Sequence, residues 1–425
     1  MQAQASYSEF SARIHERART TRGARFPTQV SIEVTRRCPL ECRHCYNNLP
    51  MNDAGARRGE LTLEEHRRLL DELVSSGSLW LLYTGGEIFA RADFLDIYRE
   101  AKRRGFLITL FTNGTLINEQ IADHLAEWPP FGVEITMYGR TRETYEALTM
   151  IPGSYDRCLR GIKLLKERKL PLKLKTVATS INKHEVMAMR RFAEEELGVE
   201  FKMDGLINPR IDCSHSPLAV RLKPEEVVAL DMHAPKGISE YRRLARREFE
   251  ETPAGASRDS VYFCGGGLKG FAINANGEMG ICVLSQQETF DIRKVGARKV
   301  WEEALLRVRS QKRTRFTKCV QCRIQSLCGM CPANGEMEAG DRESPVDFFC
   351  QVAHLRAEVI GASIPAHGEC DFCPGGAQHD IIVESARQIL SREIDVESWT
   401  APSPLLPVLN NPIIEVGGCG SCGAH

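Results

Sequence analysis

Between residues 30 and 202, six short apolar runs alternate with six stretches of helical periodicity, and that alternation limits the fold more than any other feature. The runs are Val30–Thr35, Leu79–Tyr83, Leu107–Phe111, Gly132–Met137, Leu172–Ala178 and Val199–Lys202. Helical spacing falls near 62–75, 91–104, 118–126, 141–148, 155–168 and 184–196. The first helix opens on a capping box, Thr62 with Glu65, ahead of a face made by Leu63, His66, Leu70 and Leu73. Strands that alternate with helices pair in parallel, and right-handed crossovers curl six such units into an α/β fold, a partial (β/α)6 TIM-like barrel. Ligands of such barrels sit at the carboxyl ends of the strands.

The loop after the first strand reads Cys38-Pro-Leu-Glu-Cys42-Arg-His-Cys45. Three thiols so spaced can wrap one metal centre. A zinc site normally closes with four ligands, whereas an iron–sulfur cube held by three cysteines keeps one iron open to a ligand that is not protein. The second strand ends in Thr84-Gly85-Gly86-Glu87, where glycines allow close backbone approach and Glu87 can accept from an ammonium. Thr112-Asn113-Gly114 ends the third strand, and Thr136 lies near the end of the fourth. These positions put polar groups around one mouth.

Sixteen cysteines in 425 residues need a reason. The polar first ten residues read as no signal peptide, and no stretch of 18 apolar residues is present, so the chain reads as cytoplasmic with no membrane role. Disulfides are disfavoured there, and clustered cysteines read as metal ligands. Lys+Arg and Asp+Glu both total 56, so no global field favours nucleic acid; the basic runs Arg13–Arg25 and Tyr241–Arg247 read as solvated helix faces. Beyond a polar linker near 207–225 comes a helix with the face Val227, Val228 and Leu230. Cys264 follows, and then a hairpin with strands Phe271–Ile273 and Met279–Val283 about a type I′ turn at Asn276-Gly277. A further helix near 298–309 leads to Cys319-x2-Cys322-x5-Cys328-x2-Cys331, with Cys350 beyond. After about 362, prolines interrupt all but one helix, near 379–392. Four units result: an N-terminal helical arm over 1–28, the barrel over 29–222, a cysteine-rich domain over 223–361 and an extension over 362–425.

The sequence resembles the radical S-adenosylmethionine (radical SAM) superfamily, in its SPASM-domain branch, over about residues 28–360. Cys38-x3-Cys42-x2-Cys45, with His44 before the last cysteine, matches the superfamily's cluster loop, and Thr84–Glu87 matches the motif that holds the methionyl amine. The resemblance implies a [4Fe-4S] cluster that binds S-adenosylmethionine (SAM), whose cleavage yields a 5′-deoxyadenosyl radical that takes hydrogen from substrate. It implies cofactor contacts at His44, Gly85, Gly86, Glu87, Asn113 and Thr136. It also implies two auxiliary [4Fe-4S] clusters, one held by Cys319, Cys322, Cys328 and Cys350, the other by Cys264, Cys282 and Cys331. The two-residue gap between Cys328 and Cys331 departs from the commoner family spacing of three. Zinc is the other reading of the 319–331 knuckle.

On the same resemblance the substrate is a ribosomally made peptide or small protein, matured by crosslinking, thioether formation, epimerisation or oxidation. With no recognition domain read at the N-terminus, a separate peptide-recognition protein or the basic arm is expected to present the substrate, and an electron donor such as flavodoxin or ferredoxin is the other expected partner. The alternatives are decarboxylation of a tetrapyrrole side chain, or a non-catalytic iron–sulfur carrier. Among the remaining residues, Cys158 shares a helical face with Tyr155, Leu159, Ile162 and Leu165 and reads as core. Cys213 lies past the last barrel strand beside Asp212 and after Asp204, where a thiol could donate hydrogen and a carboxylate take a proton; an ordinary polar loop is the other reading. Cys370-x2-Cys373 and Cys419-x2-Cys422 could meet around a further cluster or zinc. They could also form a redox pair or a thiol tail, with His425 a ligand only if the tail docks.

Overall fold

A computed structural model describes residues 25–234, 237–251, 259–364 and 369–401. The expected N-terminal arm lies outside the described residues as far as residue 24, as do Cys419, Cys422 and His425. Strands β1 (Gln29–Thr35), β2 (Trp80–Gly85), β3 (Leu107–Thr112), β4 (Gly132–Thr136), β5 (Leu172–Val177) and β6 (Phe201–Asp204) pair in parallel, in sequence order. Side chains alternate across each strand. Ile32, Val34, Tyr83, Leu110, Ile135 and Leu174 are completely buried. Each such side chain contributes about 1.5–3 kcal/mol by leaving water. The positions between them include Glu33, Thr84, Phe111, Glu134, Thr136 and Lys175, so the other face of the sheet is largely polar.

The crossover helices include Leu63–Ser75, Phe94–Arg103, Glu119–Glu127, Arg142–Thr149 and Ser154–Glu167. The first has its capping box: Thr62 N donates to Glu65 (2.7 Å) and Glu65 N to the Thr62 hydroxyl (3.2 Å). His66, Leu69, Leu70 and Leu73 form its buried face. Cys158 is core, 1% exposed among Tyr155, Ile162 and Leu165.

Three shorter strands extend the same sheet on its other side. β7 (Gly270–Ile273) runs parallel to β1, β8 (Glu278–Gly280) runs antiparallel to β7, and β9 (Phe290–Asp291) antiparallel to β8. The cysteine-rich segment is therefore tied to the barrel's first strand. Its hairpin departs from the expected type I′ turn, which requires two residues with positive φ. Only Gly277 has one (φ 77°), and Gly277 N donates to Asn274 O (3.0 Å). That is a type I turn closed by a left-handed glycine, the three-residue hairpin solution. Strand β8 also stops at Gly280, before the expected Val283, and Cys282 lies in the turn beyond it.

The last barrel strand starts two residues later than its apolar run suggests. Gly198 turns left-handed (φ 65°), and Val199 N bonds back to Ala193 O (2.9 Å), so the chain extends only from Phe201. The stretch 207–225 looks like a linker but buries Ile207, Val220 and Leu222. Arg221 crosses from there to Glu338 (2.6 Å) on the helix Pro332–Ala339. Helix Asp347–Ile360 packs against Pro224–His233 and His379–Leu390, with Arg356 paired to Asp231 (2.8 Å).

Candidate functional site

The cysteine loop leaves β1 at the carboxyl edge of the sheet. Cys38 and Cys42 are buried and Cys45 partly so. Burial raises all three thiols, and for Cys38 and Cys42 the neighbouring thiolates raise them further. Buried thiols that oppose one another's ionisation need a cation among them before they can all be thiolates. The residues therefore fit a metal cluster held from three sides.

The second strand's end closes against this loop. Gly86 N donates to Thr35 O (2.8 Å) and Glu87 N to Arg37 O (2.9 Å). A Cβ on Gly85, whose φ is 141°, would stand 2.1 Å from Thr35 O, and one on Gly86 2.4 Å from Arg36 O. What these glycines admit here is the backbone of the cysteine loop. Glu87 is wholly buried, and burial pushes its carboxyl up to about 7. It accepts from the Thr112 hydroxyl (2.7 Å), Asn113 N (2.7 Å) and Phe89 N (3.2 Å). Asn113 Nδ2 in turn reaches Cys38 Sγ at 3.5 Å. Cys38, Glu87 and Asn113 thus form one connected set. His44 packs on Tyr138 (ring centroids 5.4 Å apart), and burial pushes its pKa down to about 4. Thr136 is half-buried at the end of β4.

Several residues that the motifs did not single out complete this mouth. Arg210 donates to Cys45 O (3.2 Å), Asn48 Oδ1 (2.9 Å) and Asn48 O (2.9 Å), clamping the cysteine loop from beyond β6. Glu33 accepts from Asn47 Nδ2 (2.6 Å) and shares a cavity with Cys282 and Gln286, so it stands between the barrel loop and the hairpin cysteine. Glu134 pairs with Lys202 (2.7 Å) and Lys175 (3.7 Å), and Lys175 Nζ lies over the Phe111 ring. For Glu33, Glu134, Lys175 and Lys202 the signal was a charged residue within an otherwise apolar strand; Arg210 lies in a loop beyond β6, where no such pattern marks it.

Past β6, Asp204 accepts from Leu206 N (2.9 Å) and Asp212 from Ser214 N (2.9 Å), and both are exposed. Cys213 has a left-handed backbone (φ 63°), and its Sγ lies 4.0 Å from Glu336 O. These three residues stand on the seam between the barrel and the cysteine-rich segment.

The later cysteines form two neighbouring groups. Burial pushes Cys282 up to about 11, and Cys331 and Cys264 raise it further. Cys319, Cys322, Cys328, Cys331 and Cys350 line one cavity with Ile324, Met330 and Ala353. Within it, burial and then the charges of Cys328 and Cys319 raise Cys350. Cys331 lines this cavity while also facing Cys264, so it joins the two groups.

Residues 32–193 match the Radical SAM superfamily. The chain is 26% identical over 331 residues, 74% of its length, to the AdoMet-dependent heme synthase of Methanosarcina barkeri, covering 94% of that protein. It is 29% identical over 189 residues, 43% of its length, to the PqqA peptide cyclase of Granulibacter bethesdensis, covering 50% of it. Among solved structures, Streptococcus suis SuiB bound to its precursor peptide SuiA superposes with a TM-score of 0.57 at 17% identity, over 78% of each chain. The native anSMEcpe with bound AdoMet and a peptide gives 0.56 at 17% identity, over 85% of this chain and 99% of that one. No helix among the described residues is long and apolar enough to cross a membrane. The radical SAM match thus lies on the barrel, and behind the barrel stands the cysteine-rich segment, a fold that this chain shares with SuiB and anSMEcpe.

Proposed function

We propose that the chain modifies a peptide or small protein by hydrogen abstraction at the mouth beside Cys38. The observation that carries this is the pairing of that mouth with a cysteine-rich segment joined to β1, a fold shared with two chains solved with peptides bound. In this reading Cys38, Cys42 and Cys45 hold a [4Fe-4S] cluster. Cys319, Cys322, Cys328 and Cys350 hold one auxiliary cluster, and Cys264, Cys282 and Cys331 another. A cluster with SAM bound in the mouth supplies the electron and the 5′-deoxyadenosyl radical. Glu87 and Asn113 orient the methionyl end, His44 and Thr136 flank the cofactor, and Gly85 and Gly86 let β2 press against the loop. The polar wall of Glu134, Lys175 and Lys202 orients substrate, and the seam residues Cys213, Asp204 and Asp212 are the candidates for moving a proton or hydrogen atom at the substrate. The barrel over 29–222, the cluster segment over 223–361 and the extension over 362–425 act as separate functional units. A reducing, cytoplasmic setting suits the described cysteines, none of which is joined in a disulfide, and an external electron donor such as flavodoxin or ferredoxin is required.

A second reading has its own support. The match to AdoMet-dependent heme synthase spans nearly that whole protein, which favours a tetrapyrrole side chain as substrate. Reconstituted enzyme with dithionite and SAM should form 5′-deoxyadenosine, and Glu87→Ala should not; no 5′-deoxyadenosine from the parent would sink both readings. Mass spectrometry then separates them. A short peptide encoded beside the gene should change mass on turnover, whereas carbon dioxide lost from a porphyrin propionate would favour the tetrapyrrole.

A further inference from the structure

The pair Cys370 and Cys373 meets a partner that spacing does not reveal. Nε2 of His354, on the helix Asp347–Ile360, lies 3.4 Å from Cys373 Sγ and 3.7 Å from Cys370 Sγ. All three donor atoms fall within 4.8 Å of one another, and all three residues are buried. His354 Nδ1 stands 2.7 Å from Cys350 O. A carbonyl can only accept, so Nδ1 carries the proton and the Nε2 lone pair faces the two thiols. A ring nitrogen held by a backbone carbonyl while the other faces outward is the usual support of a metal-binding histidine. Phe372 packs beside the ring, centroids 5.8 Å apart.

Distances choose between one ion and a cluster. Zinc bonds of about 2.3 Å to sulfur and about 2.0 Å to nitrogen set tetrahedral donors about 3.6 Å apart. The observed 3.4 and 3.7 Å match that edge. Thiolates of an iron–sulfur cube each hold a different iron and stand farther apart. We infer that His354, Cys370 and Cys373 form a mononuclear site for a zinc-type divalent cation, fastening the segment around Cys370 to the helix that carries Cys350. Binding releases the two thiol protons to solvent, with no change of oxidation state. The site abuts the knuckle, since His354 and Cys370 line the same cavity as Cys319, Cys322, Cys328 and Cys350.

The test is metal analysis of the full chain, purified without oxygen from cells supplied with iron and zinc. About one zinc per chain is expected beside about twelve irons from three clusters. Zinc-edge absorption should show sulfur and nitrogen together in the first shell. Cys370→Ser/Cys373→Ser and His354→Gln should each lose the zinc and keep the iron and its visible absorbance, which also reports that the variants fold. Parent protein without zinc, zinc bound by sulfur alone, or about sixteen irons with no zinc would each overturn the assignment. So would variants that keep the parent's circular dichroism yet lose iron together with zinc. The absorption measurement on the parent decides the matter even if every variant misfolds.

Discussion

The loop at Cys38 and the knuckle at Cys319 both gather thiols, yet they are built in opposite ways. Distant backbone holds the loop: Glu41 N donates to Thr149 O (3.0 Å), Arg43 N to Leu148 O (3.0 Å) and Leu49 N to Arg36 O (2.8 Å). Arg210 adds a charged clamp from the far end of the barrel. In the knuckle the backbone bonds are short turns, Val320 N to Thr317 O, Cys322 N to Cys319 O, Leu327 N to Ile324 O and Cys328 N to Gln325 O. Such turns alone specify little. Ile324 and Leu327 are buried, Arg356 reaches Leu327 O (2.8 Å) and Lys318 pairs with Asp347 (2.8 Å), so side chains more than distant backbone bonds tie the segment down. The barrel's backbone shapes its loop, whereas on the proposed function the knuckle would take more of its form from the metal that its thiols hold.

Replacing Cys38, Cys42 and Cys45 together by Ala gives the largest expected effect. 5′-Deoxyadenosine formation should fall to background while Tm stays within about 2 °C of the parent, a change of about 1–2 kcal/mol for a chain of this size. A variant that unfolded would break the comparison at its first term. Cys319→Ser/Cys328→Ser should do the reverse. Structural metal sites supply folding energy outright, so several kcal/mol and about 5 °C of Tm should go, with new proteolytic cleavage between residues 311 and 346. Unchanged protease resistance would show that the knuckle is as well supported as the loop. Arg210→Ala comes next. Its charged hydrogen bonds contribute about 1.5–3 kcal/mol, so a chelator should strip iron from the Cys38 loop about tenfold faster or more. Equal stripping rates would mean that the backbone bonds suffice without the clamp.

The same contrast explains what could be read in advance. Six strand–helix units are local patterns, and β1 to β5 fall where the apolar runs put them, because alternating burial is written residue by residue. Cys38, Glu87 and Asn113 could be placed side by side in advance because each closely follows the end of a strand and the strands lie in order. The pairing of β7 with β1 was not, since it joins residues more than 200 positions apart and no local signal marks an edge that will be covered. The turn at Gly277 went astray because Asn-Gly is compatible with two hairpin geometries, and the loop length decides between them. His354 was invisible for a similar reason. On its helix it reads as one more buried position, and only the fold brings Cys370 and Cys373 to its ring. Symmetry of spacing had suggested Cys419 and Cys422 as the partners of that pair, and those residues lie outside the described part of the chain.

The smallest expected effect reads the barrel wall alone. Burial pushes Lys175 down to about 8, with Lys202 adding to the shift and Glu134 opposing it. In the unfolded chain the same amine returns to its ordinary 10.5. Between those values the unfolded state binds more protons than the folded one, so folding stability should rise with pH across that window and level off above it. Below about 8 both states are protonated, and the folded one bears the cost of a charged amine against the Phe111 ring and beside Lys202. Lys175→Met removes this titration, so from about pH 8 to 10.5 the parent's stability should climb by about 1–3 kcal/mol relative to the variant's, the thiols and tyrosines that titrate there acting equally on both. Denaturant titrations of both proteins at several pH values measure the difference directly. Parallel curves would mean that Glu134 holds Lys175 charged throughout. The polar wall would then be a fixed ion pair instead of a surface able to exchange a proton with substrate.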